Sequence, residues 1–118
     1  MTLTLHHIAE SLKLAVATGE EWLKRDVNGG YASDLLSDVL AHARKGNVWI
    51  TLQIHPNIAA VASVKELCGI IIVQGRTPEA ETLRKAAEEH LPIMVSPLAT
   101  YDLACRLGEL GVRNHEGV

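Results

Sequence analysis

The stretch Gly69-Ile70-Ile71-Ile72-Val73-Gln74-Gly75-Arg76-Thr77-Pro78 decides the fold. Its run of β-branched residues from Ile70 to Val73 shows no alternation, which is the pattern of a strand covered on both faces. Gly69 stops the helix before it, and Gln74-Gly75 breaks the run. Thr77 then offers a helix cap, with Pro78 at the first helical position and Glu79 in the first turn. Those residue types suit the free N–H groups and positive dipole end of a starting helix. A buried strand, a glycine turn and a capped helix make one unit of a parallel α/β sheet.

Working outward, the unit recurs. Downstream, a helix ends near His90, Pro92-Ile93-Met94-Val95 is a strand, and Ser96 to Thr100 leads into a helix through Leu110 with Gly111 behind it. Upstream, Asn47-Val48-Trp49-Ile50-Thr51-Leu52 is a strand, and His55-Pro56-Asn57 opens a helix carrying Ile58, Val61, Ala62 and Leu67. Ser33 is placed to cap an earlier helix with Asp34 in its first turn. Its apolar face is Leu35, Leu36, Val39, Leu40 and Ala43, and Gly46 ends it. Asn28-Gly29-Gly30 reads as a turn whose glycines permit positive φ, preceded by an extended stretch from Trp22 to Val27. Leu14-Ala15-Val16-Ala17 is a short strand, and Leu5, Ile8, Ala9 and Leu12 share one face of a first helix capped by Thr4. Strands and helices alternating with short connections from residue 47 onward predict parallel strands joined by right-handed crossovers. The expected fold is α/β, a three-layer α/β/α single domain with a mainly parallel sheet. It spans residues 1–113, with 114–118 a disordered tail.

Composition narrows the function. A chain of 118 residues fits one core, and 47% hydrophobic content fills it, chiefly with Leu, Ile, Val and Ala. A net charge of -3 and 3% aromatic residues, with no Phe, leave neither the basic surface nor the stacking platforms that nucleic acid requires. No apolar stretch approaches the ~18 residues of a membrane helix. Met1-Thr2-Leu3-Thr4 lacks the basic start and apolar run of a signal peptide, so a cytoplasmic location is expected. Cys68 and Cys105 stand at no metal-like or redox-like spacing and are expected as two buried thiols in a reducing compartment.

In an open parallel sheet, ligands bind beyond the carboxyl ends of the strands. The turns there are Gly29-Gly30-Tyr31-Ala32-Ser33, Ile54-His55-Pro56-Asn57, Gln74-Gly75-Arg76-Thr77 and Ser96-Pro97-Leu98-Ala99-Thr100. Each precedes a helix with unpartnered N–H groups, so together they form a cradle for a phosphate, a carboxylate or a nucleotide. The candidate ligand-binding residues are Gly30, Tyr31, Ser33, His55, Asn57, Gln74, Gly75, Arg76, Thr77, Ser96 and Thr100. A plainer reading stands beside this one. Ser33, Asn57, Thr77 and Ser96 or Thr100 are ordinary helix caps, the glycines serve turns, and Tyr31 packs. Capping requires neither Arg76 nor His55.

Catalytic patterns are missing. There is no G-x-x-x-x-G-K-[ST] phosphate loop, no G-x-S-x-G elbow, and no base beside either cysteine. His6 and His7 fall on different helical faces, and His42, His90 and His115 are scattered without H-x-x-x-H spacing, so no metal site is expected. Asp34 and Asp38 are four apart on one helix; near its start they serve the dipole, with Asp38 facing water. No enzyme and no cofactor are expected.

A set of segments in order then carries a resemblance. Asn28-Gly29-Gly30-Tyr31-Ala32-Ser33-Asp34-Leu35-Leu36-Ser37-Asp38 is followed by Gly46-Asn47-Val48-Trp49-Ile50-Thr51. Ile70-Ile71-Ile72-Val73-Gln74-Gly75-Arg76-Thr77-Pro78 precedes Leu91-Pro92-Ile93-Met94-Val95 and Thr100-Tyr101-Asp102. This order resembles the DRTGG domain over nearly the whole chain. Such domains are α/β modules of the MurF and HPr-kinase N-domain type, similar to the N-terminal domain of HPr kinase/phosphorylase. They accompany CBS pairs in regulated pyrophosphatases and stand in the regulatory region of phosphotransacetylases; free-standing copies exist. The resemblance implies a non-catalytic regulatory module that forms a homodimer and senses a small anionic metabolite or nucleotide. At the residues that name the family this chain departs: His55-Pro56 replaces the Asp-Arg pair, and Val73-Gln74-Gly75 keeps only the last glycine of Thr-Gly-Gly. The alternative is a ligand-independent adaptor that docks on a larger enzyme through an apolar patch including Trp22, Trp49 or the first helix.

Overall fold

The structure, a computed structural model, describes residues 3–114. In chain order the elements are β1 (Leu3–Thr4), α1 (Leu5–Ser11), β2 (Ala15–Thr18), a 3-10 turn (Glu20–Trp22), β3 (Asp26–Val27) and β4 (Gly29–Ala32). They continue with α2 (Leu36–His42), β5 (Asn47–Thr51), α3 (Asn57–Val64), β6 (Gly69–Ile72), α4 (Ala80–Glu88), β7 (Ile93–Val95) and α5 (Thr100–Leu110). The main sheet has five strands in the order β2-β7-β6-β5-β4. β4, β5, β6 and β7 run parallel, and β2 closes one side antiparallel to β7. β1 and β3 pair in a small separate ribbon that the sequence did not announce.

The apolar run now has its reason. β6 lies at the middle of the sheet, and Ile70, Ile71 and Ile72 are all fully buried. Alternate side chains feed two cores. Ile71 and Val73 join Leu5 and Ile8 of α1 and Leu103 and Leu107 of α5. Ile70 and Ile72 join Val39 of α2, Ile58 and Val61 of α3, Ala86 of α4 and Trp49. Helices therefore cover both faces, giving the three-layer α/β/α fold with a mainly parallel sheet. Each buried isoleucine contributes about 1.5–3 kcal/mol by leaving water. α1 begins as expected, with Thr4 Oγ1 accepting from His7 N at 3.1 Å.

Several local expectations are corrected. The Gly29-Gly30 pair is not a turn; both residues are inside strand β4, and neither has positive φ. Gly29 lets Asn114 approach closely, since a Cβ there would stand 2.3 Å from Asn114 Oδ1. The stretch from Trp22 to Val27 is a 3-10 turn followed by a two-residue strand, not one extended segment. α2 is only two turns long, so one narrow side reaches the sheet; Val39 and Ala43 are buried, while Leu35 and Leu40 are exposed. Trp49 is fully buried in β5, not part of a surface patch, and its Nε1 donates to Ser33 O at 2.8 Å. Cys68 is buried, but Cys105 is exposed on α5. Asn114, grouped with the tail, bonds both backbone groups of Gly30 through its carboxamide. Residues 115–118, with His115, lie outside the described residues.

Candidate functional site

Because β4 to β7 are parallel, their carboxyl ends open on one edge. The four connections leaving that edge are stitched to one another in order. Asp34, just after β4, accepts through Oδ1 from Thr51 Oγ1 and Leu52 N of the next connection, both at 2.8 Å. Gln53 Nε2 donates back to Asp34 O at 2.9 Å. The β5–α3 connection bonds the β6–α4 connection: Arg76 Nη1 donates to Leu52 O, Glu79 N to Ile54 O at 3.3 Å, and Thr82 Oγ1 to Ile54 O at 2.6 Å. Finally Gln74 N donates to Leu98 O and Gly75 N to Ser96 O, both at 2.8 Å. The turns form one continuous rim.

That rim gathers many of the sequence candidates but changes their roles. Ser33 does not cap α2; its Oγ accepts from Leu35 N at 3.2 Å and turns the chain one step before the helix. Asn57 is the first residue of α3, not its cap, and its N–H is taken by His55 Nδ1 at 3.1 Å. An exposed histidine thus performs the local capping. Thr77 lies outside α4, which begins three residues later because Glu79 and Thr82 are held to Ile54 O. Ser96 is fully buried and accepts from Leu98 N at 3.1 Å, so it is a turn residue. Thr100 opens α5 without capping it. Gly30 lies within β4, one layer below the rim, against Val48.

Tyr31 is drawn into a different cluster. Its hydroxyl donates to the carboxylate of Asp38 at 2.9 Å, and His42 Nδ1 lies 3.1 Å from Asp38 Oδ1. Asp38 therefore does not face water alone, nor does it pair with Asp34, whose carboxylate is committed to Thr51 and Leu52. Hydrogen bonds from Ser33 and then Tyr31 hold the Asp38 carboxyl below its ordinary range. Burial, reinforced by the Asp38 carboxylate, raises the Tyr31 phenol.

What the rim leaves exposed is His55, Asn57, Gln74, Gly75, Arg76 and Thr77. Gln74 and Gly75 take consecutive left-handed conformations, φ +62° and +63°. A non-glycine residue held there stores strain that the two bonds to Leu98 O and Ser96 O over-determine. Arg76 follows directly and is exposed. Among the described residues no carboxylate neutralises its guanidinium, which retains donors beyond the one given to Leu52 O. The N–H groups that the sequence offered as a cradle are largely spent inside the rim, so charge at Arg76 outweighs backbone donors there. Sequence reasoning missed Asp34, Thr51 and Gln53 as the pins of this edge. The signal was a Ser-Asp pair directly after a strand, read instead as a helix start.

Elsewhere a cleft of about 400 Å³ is lined by Arg25, Lys45, Glu66, Cys68 and Glu89 among others. Lys45 and Glu66 pair there at 3.4 Å, and Ser63 Oγ donates to Glu89 at 2.6 Å. Among the described residues no helix is long and apolar enough to cross a membrane, and no group of three or more His, Cys, Asp or Glu could hold a metal.

No family model matches the chain, and no curated protein does. Among solved structures, the chain is similar to the CBS and DRTGG domains of the regulatory region of Clostridium perfringens pyrophosphatase, a structure complexed with the activator diadenosine tetraphosphate. The TM-score is 0.70 at 15% identity, covering 86% of this chain and 44% of that one. The chain thus spans less than half of that structure's length. The likeness bears out the DRTGG-like α/β fold.

Proposed function

We propose that this chain is a non-catalytic regulatory module that self-associates and senses a small anionic metabolite or nucleotide at the rim around Arg76. The observation that carries the reading is the exposed guanidinium of Arg76, which no carboxylate neutralises among the described residues and which donates to Leu52 O beside a rim joined by three sets of hydrogen bonds. Guanidinium groups suit phosphate and carboxylate geometry. The neighbouring pyrophosphatase region, whose activator is a dinucleotide polyphosphate, supports the same direction. His55 and Thr77, exposed beside it, supply further polar contacts. The family's Asp-Arg pair is replaced by His55-Pro56, so Arg76 acts in place of that missing cation.

Thermal unfolding against a panel of mono-, di- and polyphosphate nucleotides and small carboxylates tests the reading. A ligand at one hundred times its dissociation constant adds about 2.7 kcal/mol to stability and raises the Tm. A panel without any Tm rise overturns sensing. The second reading, an adaptor for a larger enzyme, is favoured by Leu35 and Leu40 on the surface of α2. It is supported when the chain binds a defined partner with Arg76→Ala as well as with the unaltered protein.

A further inference from the structure

β4 ends the sheet, and its outer edge meets a side chain where a strand would otherwise lie. Asn114 Oδ1 accepts from Gly30 N at 2.9 Å, and Asn114 Nδ2 donates to Gly30 O at 2.9 Å. These are the two bonds that a paired strand residue makes. Ser33 N donates to Ile50 O at 3.2 Å, so odd-numbered residues here turn toward β5. By the alternation of the ladder, Ala32, like Gly30, turns its N–H and C=O outward. The opposite edge is defended differently: β2 is bulged between Val16 and Thr18, which spoils its register for a new strand. The guard on β4 is an exposed side chain rather than a distortion of the strand itself, and an exposed side chain can leave.

We propose that Asn114 is a releasable gate on β4 and that a second copy of this chain pairs there when the gate opens, β4 against β4 about a two-fold axis. The inference rests on the self-association part of the reading above and names its surface. Three features favour a second copy as the occupant. An antiparallel self-pairing brings the same outward groups of Gly30 and Ala32 together from both copies, as an isologous contact requires. Residues 28–33, Asn-Gly-Gly-Tyr-Ala-Ser, carry no charge, so two copies of a chain with net charge -3 meet here without like-charge repulsion. Apolar side chains accompany the edge. Leu35, just after β4, and Leu40, on α2, are 64% and 43% exposed. A cleft of about 150 Å³ between the edge and α5 is lined by Ala32, Ile50, Ala104, Leu107 and Val112 beside Asn114.

Sedimentation velocity over a concentration series, on the full chain, tests the gate. Asn114→Ala is expected to lower the dimer dissociation constant at least tenfold. Asn114→Asp, which keeps the size but cannot donate to Gly30 O, is expected to do the same. Gly29→Ala is a third route, because the new Cβ would displace the Asn114 carboxamide without altering residue 114. Adding Ala32→Pro, which removes an outward N–H, or Leu40→Glu to Asn114→Ala is expected to restore the monomer. Circular dichroism identifies any variant that unfolds, and the comparison is then made among those that remain folded. Unchanged association in folded Asn114→Ala and Asn114→Asp overturns the gate. A dimer that survives both Ala32→Pro and Leu40→Glu overturns this surface while leaving self-association standing. Open-ended aggregates instead of dimers overturn the two-fold pairing.

Discussion

Asp34 and Thr51 are joined across two connections of the sheet by a 2.8 Å hydrogen bond from the threonine hydroxyl to the carboxylate, and the same oxygen accepts from Leu52 N. Thr51 is fully buried and its hydroxyl has no route to water, whereas Asp34 is exposed. One surface carboxylate therefore satisfies a buried hydroxyl and a backbone N–H. Asp34→Ala should destabilise the fold by about 1–3 kcal/mol, the cost of leaving such groups unpaired. Asp34→Asn, which keeps an accepting oxygen, should cost less. Urea unfolding at constant m-value measures both, and equal stability of Asp34→Ala and the unaltered protein would show that the rim is not pinned here.

Arg76 should separate binding from stability. Among the described residues its side chain makes one hydrogen bond, the exposed one to Leu52 O. Arg76→Ala is expected to change the ligand-free stability by no more than about 1 kcal/mol and to abolish the Tm rise produced by the anion. Arg76→Lys keeps the charge but loses the planar fork, so an intermediate rise is expected. A full ligand response in Arg76→Ala would place the site elsewhere.

Asp38 sets an acid limit. Its carboxyl is held below the ordinary 3.8 by the Ser33 hydrogen bond first and the Tyr31 hydroxyl second. Folding is therefore favoured above the unfolded value and loses that contribution as pH falls through the lowered folded one. Tyr31→Phe removes one of the two hydroxyl donors, and the Asp38 titration, followed by carboxyl-carbon NMR, should move up toward the ordinary value. An unmoved titration would mean that the Tyr31 bond does not form in solution.

The two thiols should behave oppositely. Burial pushes the Cys68 thiol from an ordinary 9.0 up to about 12, while Cys105 is exposed. In the native protein an alkylating reagent at pH 8 should label Cys105 and spare Cys68; in denaturant it should label both. The folded chain keeps the Cys68 proton where the unfolded chain releases it. Stability from this group is complete below 9.0 and falls as pH rises toward 12. Cys68→Ala should flatten that alkaline decline, measured by unfolding between pH 8 and 11. Rapid native labelling of Cys68 would contradict its burial.

Much of the fold was legible because its central strands obey a local rule. Ile70 to Val73 could only be apolar on both sides if helices covered both sides, and Asn47 to Thr51 repeats the pattern. Helix α5 was equally plain, with Gly111 in the left-handed conformation at its end, φ +100°. The rim was less legible. Ser33, Asn57 and Thr77 have the residue types of caps, yet none caps: Ser33 and His55 make local bonds to Leu35 N and Asn57 N, and α4 starts late because Glu79 and Thr82 are held to Ile54 O of the neighbouring connection. Gly29 and Gly30 misled for a related reason: glycine serves positive φ and close approach alike, and only the position of Asn114 distinguishes them.

By itself, then, the chain's pattern of apolar runs determined the alternating strands and helices from residue 47 onward, and that those strands stand parallel with helices on both faces. These are consequences of period and propensity, which act over a few residues. Only the tertiary structure decided which polar groups at the sheet edge are spent and which remain. That choice depends on partners from different connections, such as Asp34 with Thr51 and Arg76 with Leu52, brought within hydrogen-bond distance by strand register and by nothing in their own neighbourhoods.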